Sequence, residues 1–100
     1  MTISTHVLDA QRGRPATGLA VRLERADGTV VSDGRTGADG RITGWSDGLD
    51  AGVYRLVFDT GELAPFFPEV VLTFRVDDPA AHYHVPLLLS PFAYSTYRGS

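Results

Sequence analysis

The chain has 100 residues, 43% of them hydrophobic, and a formal charge of −3, enough for one core, so residues 1–100 are expected to form a single domain. Absence of cysteine excludes disulfide frameworks and thiolate chemistry, and the nine basic residues, all arginine and interspersed with twelve Asp and Glu, argue against nucleic-acid or membrane partners. No stretch approaches the roughly 20 apolar residues that span a bilayer, and "MTISTHVLD" lacks the regions of a secretory signal, so a cytoplasmic location is the expectation.

In chain order, the first predicted strand runs from Ile3 to Leu8, with Ile3, Thr5 and Val7 on one face and Ser4, His6 and Leu8 on the other. Leu19, Val21 and Leu23 then alternate with Ala20, Arg22 and Glu24, the period of a half-buried strand. Asp-Gly pairs at Asp27-Gly28, Asp33-Gly34, Asp39-Gly40 and Asp47-Gly48 predict turns, because Asp-Gly tolerates positive φ. Between and beyond them lie strands Thr29 to Ser32, Arg41 to Trp45 and Val53 to Asp59. Val70, Leu72, Phe74 and Val76 alternate with Val71, Thr73 and Arg75, and His82 to Leu89 and Ala93 to Tyr97 complete eight predicted strands. Short strands with turn signals every 8 to 12 residues describe an all-β antiparallel sandwich or barrel. The segment "DTGELAPFFPEV" has room for a helical turn, but Pro65 and Pro68 limit it to about one.

Three histidines are the candidates for acid–base work near neutral pH. His82 and His84 share one strand face while Tyr83, Val85, Leu87 and Leu89 point the opposite way, toward a core. Each histidine also fits a structural or surface role, and His6, His82 and His84 together allow a three-histidine zinc site. No nucleophile-elbow pattern is present. Arg41, directly after the Asp39-Gly40 turn, offers a forked donor to a planar, oxygen-rich ligand, or is a solvated edge arginine.

The two ends of the chain are more specific. "ISTHVLDAQRGRPATGLAVRL", Ile3 to Leu23, and "HYHVPLLLSPFAYSTYRGS", His82 to Ser100, resemble the transthyretin-related 5-hydroxyisourate hydrolases, and "TGADGRITG", "GVYRLVFDTG" and "FFPEVVLTF" extend the resemblance through the middle. The resemblance implies a transthyretin-like sandwich of two four-stranded antiparallel sheets. It also implies a homotetramer, a dimer of dimers with sites in the dimer–dimer cleft. The implied reaction opens 5-hydroxyisourate to 2-oxo-4-hydroxy-4-carboxy-5-ureidoimidazoline in urate degradation, with no metal or organic cofactor. Matched motif by motif, the implied catalytic residues are His6, Arg41, His84 and Ser100. Substrate binding falls to His6 and Arg41 with Tyr97, Arg98 and Gly99, and His82 takes a lesser role. Between "DTG" and "FFPEV" only "ELAP" remains, so the family's short helix is expected to be reduced or missing.

Ring opening needs an activated water, a proton for the departing nitrogen and compensation for negative charge on oxygen, which suits two histidines and an arginine. The alternative within the same fold is a non-catalytic transthyretin-like protein that binds a small ligand. Alternation through "AYSTYRGS" further predicts an ordered end, with Gly99 admitting a backbone path that a side chain would obstruct.

Overall fold

The computed structural model describes residues 2–45 and 49–100. Ten strands run in chain order: β1 (Thr2–Asp9), β2 (Arg14–Pro15), β3 (Ala20–Arg25), β4 (Val30–Arg35), β5 (Arg41–Trp45), β6 (Gly52–Asp59), β7 (Glu69–Val76), β8 (His82–His84), β9 (Leu87–Ser90) and β10 (Ala93–Thr96). They form two sheets facing each other across one apolar core, the expected all-β sandwich. Among the described residues there is no helix. The "ELAP" segment forms a turn in which the Ala64 amide donates to the Thr60 carbonyl at 2.9 Å.

The second sheet has the order β4-β3-β6-β7 and is antiparallel throughout, four strands as expected. Its inward faces carry the alternating residues read from the sequence, with Val21, Leu23, Val70, Leu72 and Val76 buried. Each fully buried Leu or Val contributes on the order of 2 kcal/mol of transfer free energy.

The first sheet differs from the expected antiparallel four in two ways. It has six strands, because β2 and β5 both pair with β1 and the predicted strand His82 to Leu89 is divided into β8 and β9. Pro86 lies in the gap and has no amide hydrogen to donate, which interrupts the ladder, yet Ser4–His84 and Val7–Leu87 keep one register across it. The pairing of β1 with β8 and β9 is also parallel. β8 and β9 reach β1 only after the other sheet is complete, so no hairpin imposes an antiparallel direction on them.

Two turns lie where predicted, Gly28 and Gly40 having φ of 89° and 78°. Asp33-Gly34 instead lies inside β4, paired with Arg22 and Val21. A Cβ on Gly34 would sit 3.6 Å from the Trp45 ring, so this glycine lies against a side chain crossing from β5. Asp47-Gly48 lies outside the described residues.

Candidate functional site

Alternation along β1 divides its chemistry between two faces. Ile3, Thr5 and Val7 are buried toward the core, and Thr5 Oγ1 donates to the Val85 carbonyl at 2.6 Å. Ser4 and His6 point the other way. Across the strand, His6 is paired with Arg41 of β5 and Ser4 with His84 of β8, so all four side chains share the face opposite the core.

Arg41 is aimed there by two local devices. Its amide donates to Asp39 Oδ1 at 3.0 Å, closing the Asp-Gly turn, and the Gly40 carbonyl accepts from the Val7 amide at 2.8 Å, fastening that turn beside His6. A Cβ on Gly40 would stand 2.5 Å from the Val7 carbonyl oxygen, so only glycine permits this approach. The register between β1 and β5 then shifts between Ile3 and Thr5, opposite Gly44 with its φ of 72°. This bulge lets Ile42 and Trp45, three residues apart, both face the core while Arg41 faces outward.

A chain of hydrogen bonds joins β1 to β8. Ser4 Oγ lies 2.7 Å from His84 Nδ1 and 3.1 Å from His82 Nε2, and Thr2 Oγ1 lies 2.5 Å from His82 Nδ1. Ser4 is only 5% exposed, His84 is half-buried and His82 is exposed. Burial pushes the His84 imidazole below its ordinary pKa range, and the positive charge of Arg41, with any charge on the neighbouring His6 and His82, pushes it the same way. His84 therefore binds a proton less readily than a free imidazole, and its Nε2 is not engaged by Ser4. Among the described residues no group of three His, Asp or Glu is arranged to hold a metal ion, so the zinc alternative lacks its geometry, and hydroxyls engage both nitrogens of His82.

The C-terminal segment docks onto the same histidine. Thr96 Oγ1 donates to the Pro86 carbonyl at 2.7 Å, and the Gly99 amide donates to the His84 carbonyl at 2.8 Å. A Cβ on Gly99 would fall well inside van der Waals contact with the His84 ring, so the glycine leaves the space that ring fills. Arg98 lies with its guanidinium 4.4 Å from the centre of the Tyr83 ring, on the face of β8 opposite His82 and His84. Tyr97 is 59% exposed, and with Arg98, Val71 and Tyr83 it lines an apolar groove of about 320 Å³ beside β7. Ser100 is exposed.

The structure thus brings His6, Arg41, His84 and Gly99 together and turns the Arg98 side chain elsewhere. Sequence reasoning put Ser4 on the His6 face without assigning it a role, because its significance depends on a strand some eighty residues away. Asp9 of the same N-terminal motif has a structural task. It is buried, and its Oδ1 accepts from the Gln11 and Arg12 amides at 3.1 Å, holding the turn into β2.

Known proteins are similar to this chain in sequence and in fold. A 5-hydroxyisourate hydrolase of Salmonella dublin is 45% identical over 109 residues, covering 98% of this chain and 80% of that protein. The 5-hydroxyisourate hydrolase 2 of Rhizobium meliloti is 44% identical over 114 residues, covering 98% and 95%. The structure of Klebsiella pneumoniae 5-hydroxyisourate hydrolase superposes with a TM-score of 0.88 at 38% identity, covering 99% of this chain and 98% of that one. Sea bream transthyretin in complex with thyroxine superposes at 0.86 with 34% identity, covering 97% and 93%. The HIUase/Transthyretin family model matches residues 3–99, and the chain belongs to that family.

Proposed function

We propose that this protein is a 5-hydroxyisourate hydrolase of urate degradation, with His6, Arg41 and His84 as its central catalytic groups. The observation that carries the reading is the shared face of β1, β5 and β8, where a half-buried histidine with a lowered pKa stands near a second histidine and an arginine. The sea bream protein shows that the fold also serves a thyroxine complex, so architecture alone does not choose between hydrolase and carrier. The polar face favours hydrolysis, because an apolar ligand has no use for it.

Neutral His84 accepts a proton from water as the water oxygen bonds to the ring carbonyl carbon. Arg41 offsets the charge gathering on the carbonyl oxygen. The ring C–N bond then breaks, His6 delivers a proton to the departing nitrogen, and the new carboxylic acid returns one to His6. The product's carboxylate and ureido groups are the two halves of that broken amide. Gly99 and Ser100 form the substrate-binding end of the site, with Ser100 beside the reacting groups, while Arg98, anchored on Tyr83 across β8, and Tyr97, in the groove beside β7, hold the terminal segment in place instead of binding substrate as expected. The protein assembles as a homotetramer with sites in the cleft between dimers. The exposed aromatics Phe66, Phe92 (78% exposed) and Tyr94 support assembly, and sedimentation analysis tests it.

The decisive experiment generates 5-hydroxyisourate freshly with urate oxidase and follows its ultraviolet decay with and without the protein. Faster decay is expected, and no acceleration over the spontaneous rate removes the hydrolase reading.

A further inference from the structure

From the chain of contacts Thr2–His82–Ser4–His84, we infer that Ser4 and His82 form a proton relay that carries the proton taken up by His84 along β8 to solvent, away from the reacting groups. The inference rests on the hydrolase reading and assigns work to residues that touch no substrate.

The donors and acceptors force the coupling. Ser4 has one hydroxyl proton and stands between two imidazole nitrogens, at 2.7 Å from His84 Nδ1 and 3.1 Å from His82 Nε2. It donates to one ring only, so the other ring must donate to it. With both imidazoles neutral, two arrangements satisfy every contact. In the first, His84 carries its proton on Nδ1 and donates to Ser4, Ser4 donates to His82 Nε2, and His82 Nδ1 donates to Thr2. The lone pair of His84 Nε2 then faces the water. In the second, all these directions are reversed and Nε2 carries the proton.

Passing from the first to the second is the relay step. As Nε2 gains the water proton, Nδ1 releases its proton to Ser4 Oγ, Ser4 releases its own to His82 Nε2, and His82 Nδ1 releases one through the Thr2 hydroxyl to solvent. Each of the four groups gains one proton and loses one, so no charge accumulates. After product leaves, the Nε2 proton exchanges with solvent and one proton re-enters at Thr2. Net release is one proton per turnover, as hydrolysis of a non-basic amide to a carboxylate requires.

The need for such a path is electrostatic. A protonated His84 would be half-buried and would face Arg41 of β5, His6 of β1 and His82 of its own strand, all cationic or able to become so. Moving the proton to exposed His82 and onward removes that repulsion before the ring opens.

Three variants and one additive test the relay. Ser4→Ala and His82→Ala should each lower kcat about 10-fold in weak buffer, with KM within about 2-fold because neither side chain meets substrate. Ser4→Thr, which keeps the hydroxyl, should recover kcat to within about 3-fold. Added imidazole should restore His82→Ala, whose lost ring is exposed, and not Ser4→Ala, whose gap is buried. Wild-type kcat in both alanine variants, or a His82→Ala defect that imidazole leaves untouched, overturns the relay while leaving the hydrolase intact. Failure of the unmodified protein to hydrolyse 5-hydroxyisourate overturns both.

Discussion

The two sheets solve different problems. In the second, β3, β4, β6 and β7 are antiparallel neighbours whose alternating apolar residues face inward, and the arrangement serves stability. In the first, β1 lies between segments that arrive from the middle and the far end of the chain, and its outward face collects Ser4, His6, Arg41 and His84. Changes in the second sheet should therefore cost folding free energy, and changes on the outer face of the first should cost turnover.

The largest expected effect breaks the second sheet. Leu56 of β6 is fully buried, and Leu56→Ala should lower unfolding free energy by about 2–5 kcal/mol by leaving a cavity, with near-normal turnover in the molecules that remain folded at low temperature. Urea titration alongside the ultraviolet assay checks both halves. Next come His6→Ala and His84→Ala, each expected to reduce turnover by about 100-fold or more with the urea midpoint nearly unchanged. A smaller effect is expected of Gly99→Ala, whose methyl group displaces the His84 ring; about 10-fold lower kcat should accompany a far-ultraviolet spectrum like that of the parent.

The smallest effects are pH shifts. Because His84 binds a proton less readily in the folded chain, the acid limb of kcat/KM should fall below the ordinary imidazole value of about 6.5. Removing one contributing charge by Arg41→Gln should move that limb upward by less than about one unit, whatever the loss of rate. The same group makes stability pH-dependent. The unfolded chain takes up the His84 proton first as pH falls, so the contribution is present above about 6.5 and is lost as pH drops through the lowered folded value. Comparing urea midpoints of the parent and His84→Gln between pH 7.5 and 5 should show a smaller decline in the variant.

Period-two alternation was enough to read β3 and β7, because a strand with one buried face must place apolar residues at every second position. Two Asp-Gly turns followed in the same way from backbone sterics. Asp33-Gly34 did not, since Gly34 answers to the ring of Trp45, a contact the local sequence does not contain. His6, Arg41, His84 and the terminal "YRGS" were identified through motifs, while Ser4 was passed over because a serine beside a histidine strand carries no periodic signal.

The sequence by itself therefore determined the strand periodicity, the all-β class, the absence of thiol chemistry and the residue types available for acid–base work, all of which are properties of local composition and spacing. The tertiary structure alone decided the parallel placement of β8 and β9 beside β1, the Gly44 bulge that turns both Ile42 and Trp45 to the core, the docking of Gly99 against His84 and the position of Ser4 between two imidazoles. Those features join residues far apart along the chain, and their geometry is set by register and packing between strands, which no short window of sequence records.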